Sequence, residues 1–206
     1  MARIGLLGGS FNPAHRAHRR ISLAAIEQLG LDEVWWLVSP GNPLKPAAGM
    51  APLPARFASA VRMARRAPIR VTAIERELGT RYTVDTLRAL ERRYPRDRFV
   101  WIMGADNLAQ FDQWKDWRAI ARSMPIVVFA RPGYERAAFG GRAMAWLRRY
   151  RAPAAALQSG KPPLLVWLRY DPDPVSATAL RAADPDWASR YATGSLRDMV
   201  TGTAIT

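Results

Sequence analysis

Residues 3–20 read RIGLLGGSFNPAHRAHRR, and the fold turns on how they are read. Ile4, Leu6 and Leu7 form a short apolar run that ends at Gly8-Gly9-Ser10, with Asn12-Pro13 close behind. That pattern predicts a buried strand breaking into a tight turn. A helix then opens near Ala17, with Ile21, Leu23, Ala24, Ile26 and Leu29 on its apolar side. Two glycines at the mouth of a helix let backbone N–H groups approach an anion, and the helix start adds partial positive charge. The chain has two histidines, and both fall here: His15 and His18 are three residues apart and can share one side of the first helical turn. Strand, glycine turn and imidazole-bearing helix together predict a place to hold phosphate. The Walker pattern and a G-x-G-x-x-G run are both absent.

Further strands are predicted at 33–39 (EVWWLVS), 69–74, 99–103 (FVWIM), 126–129 and 164–168 (LLVWL). Helices are predicted at 55–66, with Phe57, Val61 and Met63 apolar, and at 82–93, with Leu87 and Leu90 inward and Pro95 as the stop. Residues 136–150 read as helical, 151–163 as a mobile loop, and 201–206 show no pattern. Short apolar runs alternating with amphipathic helices predict βαβ units. The expected fold is therefore α/β, a single-domain Rossmann-like doubly wound parallel sheet over residues 1–206. A small C-terminal helical part is expected at about 176–200.

Composition narrows the class. Apolar residues at 49% with 23% charged mark a globular chain, and there is no cysteine for disulfides or thiolate metal sites. The first apolar run ends at Leu7 with Arg/His-rich sequence after it, unlike a signal peptide, and no stretch approaches the roughly 18 apolar residues of a membrane span. A cytoplasmic protein without membrane contact is expected. The formal charge of +14 suggests nucleic acid at first sight. Its carriers argue otherwise: Arg62, Arg65, Arg66, Arg92, Arg93, Arg148, Arg149 and Arg151 are spread over many elements. Such a surface would still attract mononucleotide phosphates.

In an open α/β sheet, ligands bind beyond the carboxyl ends of the strands. The remaining polar signals fall there: residues 39–45 (SPGNPLK) after the second strand, 104–107 (GADN) after the fourth and 176–181 (SATALR) after the sixth. Gly104 would admit a ligand to the backbone, and Asp106 can accept from ribose hydroxyls. Thr83 at a helix start offers an N–H and a hydroxyl to a carboxylate or amide. Trp114 presents a face for a flat ring. Ser176 or Thr178 can cap the last helix, and Arg181 adds a bidentate fork for phosphate oxygens.

These pieces also carry a resemblance. GGSFNPAHRAH resembles the signature GGSFDPxHxGH, with its T/H-x-G-H core, of the bacterial nicotinate-nucleotide adenylyltransferases; phosphopantetheine adenylyltransferase shares a looser form. Asn12 stands where Asp is usual and Ala17 where Gly is usual. Residues 42–45 (NPLK) resemble the end of the P-x-x-x-P-P-H-K loop, with Leu44 for His. Residues 80–87 (TRYTVDTL) resemble S-Y-T-x-D-T-L, and 104–117 resemble G-A-D-N-L…F…W. Residues 175–181 (VSATALR) resemble I-S-S-T-x-I-R, with Ala177 for the second Ser. The five motifs occur in the family's order and cover the chain from Arg3 to about Arg181.

The resemblance implies adenylyl transfer from ATP to nicotinate mononucleotide, giving deamido-NAD and pyrophosphate. It implies His18 on the α-phosphate, and His15, Lys45 and Arg181 on the triphosphate. Gly8, Gly9, Ser10, Phe11, Gly104, Asp106, Ser176 and Thr178 are expected to bind ATP. Asn42, Tyr82, Thr83, Trp114 and Lys115 are expected at the mononucleotide, with Trp114 on the pyridine ring and N–H groups around Thr83 and Lys115 on its carboxylate. Mg²⁺ is expected to arrive with ATP, with no metal held permanently by the protein. Two rivals remain: a sister enzyme acting on nicotinamide mononucleotide or phosphopantetheine, and a non-catalytic nucleic-acid-binding domain built on the +14 charge.

Overall fold

Strand β1 (Arg3–Gly9) lies at the middle of a six-stranded sheet. The chain continues through α1 (Arg16–Leu29), β2 (Glu33–Val38), α2 (Leu53–Ala64), β3 (Ile69–Thr72), α3 (Ile74–Leu78) and α4 (Thr83–Arg93). It then forms β4 (Arg98–Gly104), α5 (Ala105–Leu108), α6 (Trp117–Ser123), β5 (Ile126–Phe129), α7 (Glu135–Gly140), α8 (Arg142–Leu147) and β6 (Leu165–Leu168). The last elements are α9 (Ala177–Ala183), β7 (Leu196–Arg197) and β8 (Ala204–Ile205). This computed structural model describes residues 1–41, 49–130, 133–158, 160–170, 173–191 and 195–206.

The strand order is β3-β2-β1-β4-β5-β6, and every neighbouring pair is parallel. The order reverses between β1 and β4, which opens a crevice at their carboxyl ends, the usual ligand position in such sheets. The expected doubly wound parallel sheet is what forms.

Alternation along each strand divides the core into two layers. Ile4, Leu6, Trp35, Leu37, Phe99, Trp101 and Met103 face α3 to α8. Leu7, Val34, Trp36, Val38, Val100 and Ile102 face α1 and α2. Each fully buried strand side chain contributes roughly 1.5–3 kcal/mol. Helix α1 is locked to the sheet by polar contacts as well. Trp36 Nε1 donates to Ser22 Oγ at 2.8 Å, and that hydroxyl donates to the His18 carbonyl at 2.9 Å.

Several boundaries differ from the sequence reading, each for a visible reason. The third strand stops at Thr72, two residues short of 74, because Asp198 draws the backbone away: its carboxylate accepts from Thr72 Oγ1 at 2.9 Å and from the Ala73 N–H at 2.7 Å. Ile74 instead starts α3. The 136–150 helix is two helices parted at Gly140-Gly141, then a 3-10 turn at Arg148–Tyr150. The segment read as a mobile loop carries a 3-10 turn at Ala154–Gln158, and Gln158 accepts from the Arg3 and Arg98 guanidiniums. The helical C-terminal part consists of α9 and a 3-10 turn at Trp187–Tyr191; β7 and β8 then pair as an antiparallel hairpin around Asp198, which also accepts from the Val200 and Thr201 N–H groups. In α1, Leu23 is exposed rather than on the apolar side; Ala17, Ser22, Ala25 and Leu29 are buried, and Ile21, Ala24 and Ile26 pack half-buried against the core.

Candidate functional site

Beyond the carboxyl ends of β1 and β4 lies a cleft of about 1120 Å³. One end is the turn after β1. Gly8 is required there, because a Cβ would come within 2.7 Å of the Trp101 indole. Phe11 follows at φ 47°, in the left-handed region, 1% exposed, its ring stacked on Trp36 at 5.0 Å and 4.8 Å from His18. The Asn12-Pro13 peptide is cis. Asn12 clamps the chain on the far side: its Nδ2 donates to the Gly49 carbonyl at 2.9 Å, and its Oδ1 accepts from the Ala51 N–H at 3.2 Å. An aspartate could supply only the second bond, so Asn suits this turn.

His15 caps α1 in extended backbone, and its N–H donates to His18 Nδ1 at 3.2 Å. The bond assigns the tautomer of His18: Nδ1 accepts, so the ring proton sits on Nε2 as a donor. The two rings lie 3.8 Å apart. Both line the cleft with Gly8, Gly9, Ser10 and Phe11.

The start of α9 closes the same end. Ser176 accepts from the Ala179 N–H at 3.1 Å and so caps the helix as expected. Ser176 and Thr178 line the cleft. Arg181 lies beside it rather than on its wall, with Nη1 on the Asn12 carbonyl at 2.6 Å and Nη2 on Thr178 Oγ1 at 3.4 Å.

Tyr82, Thr83, Trp114 and Lys115 line the same cleft. Thr83 opens α4 as expected. The Trp114 ring meets Trp101 and Phe111 edge-on at 6.1 and 5.3 Å, so two core aromatics fix its plane while it faces the cleft. Lys115 Nζ pairs with Asp85 at 3.0 Å and lies over the Tyr82 ring at 4.7 Å. Gly104 ends β4 with the Asp106 carboxylate folded against it, where a Cβ would collide; both line the cleft. Asn42 and Lys45 lie outside the described residues.

Sequence reasoning missed two carboxylates. Glu75 lines the cleft, and burial pushes its carboxyl up to about 7, partly offset by hydrogen bonds from Thr86 and Ser39. In sequence it is one acid within Glu75-Arg76-Glu77, which reads as a solvated charge run. Asp173 also lines the cleft, its side chain 3% exposed, with Arg16 Nε at 2.6 Å and Arg20 Nη1 at 3.4 Å. Burial pushes its carboxyl up, but the Val175 N–H and the two guanidiniums outweigh this and hold it below the usual range. No spacing in the sequence links Asp173 to α1. Among the described residues, no group of three or more His, Cys, Asp or Glu could hold a metal ion.

Residues 6–183 match the family model described as Cytidylyltransferase-like. The chain belongs to that family. It is 66% identical to a probable nicotinate-nucleotide adenylyltransferase of Erythrobacter litoralis (strain HTCC2594), over 98% of this chain and 94% of the relative. A protein of Cereibacter sphaeroides (strain ATCC 17025) with the same name is 51% identical, over 87% of this chain and 96% of its own. The Plasmodium falciparum nicotinic acid mononucleotide adenylyltransferase, solved as a complex with NaAD, aligns with a TM-score of 0.67 at 14% identity, over 88% of this chain and 83% of that one. At that identity the likeness speaks for the fold alone. This family member thus has the nucleotidyltransferase sheet and a cleft at its switch point.

Proposed function

We propose that the chain, acting as one nucleotidyltransferase unit over residues 1–206, transfers the adenylyl group of ATP to nicotinate mononucleotide. One observation carries the reading. A single cleft is lined both by the imidazole-bearing turn after β1 and by Thr83, Trp114 and Lys115. The high-identity relatives named as nicotinate-nucleotide adenylyltransferases support the same reaction.

The mononucleotide phosphate is ionised at neutral pH and attacks the α-phosphorus directly. A new P–O bond forms, the bond to the β-phosphate breaks, and its electron pair leaves with pyrophosphate. No protein base or covalent nucleophile is needed, and catalysis is positioning plus stabilisation of charge. His18 Nε2–H donates to the α-phosphate. His15, the Ser10 hydroxyl and the N–H groups of Gly9 to Phe11 hold the tail, with Lys45 joining them. Arg181 keeps guanidinium donors beyond its bonds to Asn12 and Thr178, and these take phosphate oxygens. Asp106 accepts from the ATP ribose beside Gly104, and Ser176 and Thr178 face the nucleotide. Trp114 stacks on the pyridine ring; Tyr82, Asn42 and the N–H groups near Thr83 and Lys115 hold the rest of the mononucleotide. The substrate is MgATP, the ion arriving on the phosphates.

No helix among the described residues is long and apolar enough to cross a membrane. We place the enzyme in the cytoplasm, with two nucleotides and no nucleic acid as its partners. Pyrophosphate release from ATP, measured with nicotinate mononucleotide, nicotinamide mononucleotide and phosphopantetheine in turn, tests the reading. The acid mononucleotide is expected to give the highest kcat/KM. Preference for another acceptor, or release with none, overturns it.

A further inference from the structure

Arg56 in α2 is 1% exposed, yet among the described residues its guanidinium meets only neutral backbone oxygens. Nε donates to the Ala51 carbonyl at 2.8 Å, and Nη1 to the carbonyls of Ser10 at 2.8 Å and Ser39 at 2.7 Å. Nη2 reaches the Pro40 carbonyl at 3.4 Å. These acceptors come from three segments: the turn after β1, the end of β2 and the approach to α2. Among the described residues no carboxylate pairs with it. Burial lowers its pKa, and an arginine still keeps its charge at neutral pH.

A buried charge without a counter-charge is costly, and tying loops together does not require one. The location supplies a reason. Ser10 and Phe11 line the cleft, and the Ser10 carbonyl belongs to the same peptide plane as the Phe11 N–H. In a trans peptide the two groups point in opposite directions, so a carbonyl aimed at Arg56 turns the Phe11 N–H away from it. A charged donor on the carbonyl also polarises the peptide and strengthens that N–H. The left-handed φ of 47° at Phe11 costs about 1 kcal/mol or more and persists because ring packing and this bond hold it.

We propose that Arg56 is a positioning residue for the triphosphate: from beneath the cleft it holds the Ser10–Phe11 peptide with the Phe11 N–H presented to the phosphates, and it ties that peptide to the end of β2. Its missing counter-charge is then the polyanionic substrate above it. The proposal rests on the cleft being an ATP site.

Arg56→Lys keeps the charge but cannot span all four carbonyls. The KM for MgATP is expected to rise about 10-fold while that for the mononucleotide stays unchanged. A purely structural role would move both KM values together with the melting temperature, so an equal rise, or none, overturns the proposal. The wild-type protein gives a test that needs no variant. In amide-resolved NMR, a non-hydrolysable MgATP analogue is expected to shift the Phe11 amide proton downfield. If other cleft amides move and Phe11 does not, the proposal for Arg56 falls while the ATP site stands. If no cleft amide moves, the reading of the cleft falls with it.

Discussion

Arg181 Nη1 donates to the backbone carbonyl of Asn12 at 2.6 Å, joining residues 169 apart in the chain. The contact brings α9 onto the turn that follows the first strand. It ties two distant parts of the chain together beside the cleft.

Arg181→Lys should therefore cost more than charge alone would suggest. An ammonium can hold the Asn12 carbonyl or a phosphate oxygen, but not both, together with Thr178, in one plane. We expect kcat/KM for MgATP to fall about 10–100-fold, with mononucleotide binding unchanged. Steady-state kinetics with each substrate varied in turn checks this, and wild-type kcat/KM would remove Arg181 from the phosphates.

His18→Ala should act on kcat. The His15 N–H fixes the tautomer so that Nε2 carries the proton, and the role assigned to that donor belongs to the transition state. We expect kcat to drop about 10²–10³-fold at nearly constant KM. A raised KM with kcat intact would make the residue a ground-state binding group instead.

Trp114→Ala should separate the two substrates. Its ring plane is set by Trp101 and Phe111, so the face offered to the mononucleotide needs no ordering on binding. Loss of the ring should weaken the mononucleotide about 10-fold and leave ATP binding intact. Titration of each ligand by calorimetry reads this directly; an equal loss for both removes Trp114 from the pyridine subsite.

Glu75 predicts a pH dependence of stability. Its carboxyl rises from the ordinary 4.5 to about 7 in the folded protein, so between those values the folded state holds the extra proton. This contribution is full below pH 4.5 and is lost as pH rises through about 7. The loss is at most about 3 kcal/mol. Glu75→Gln should flatten it, and denaturant unfolding at pH 5 and pH 8 on both proteins measures the difference. Identical pH profiles would show that Glu75 titrates normally.

The fold was legible because its strands are short apolar runs buried on both faces and separated by amphipathic helices. The turn after β1 was legible because glycines, a proline and two histidines cluster within a dozen residues. Asp198 ending β3 was not legible, since the carboxylate and the strand it terminates are over 120 residues apart. Glu75 and Arg56 were hidden for a related reason. Each looks like a surface charge on an amphipathic helix until packing shows which way it faces.

Local pattern therefore determined the parallel sheet, the turn after β1 and the kinds of residue gathered at the strand ends, because hydrophobic period, turn geometry and helix capping act over a few neighbours. Tertiary structure alone decided that Arg181 reaches Asn12, that Arg56 holds the turn after β1, and that Asp173 is held by α1. Those contacts depend on how the strands order themselves in space and on the low polarity of what surrounds each charge, and neither is written in any short stretch of sequence.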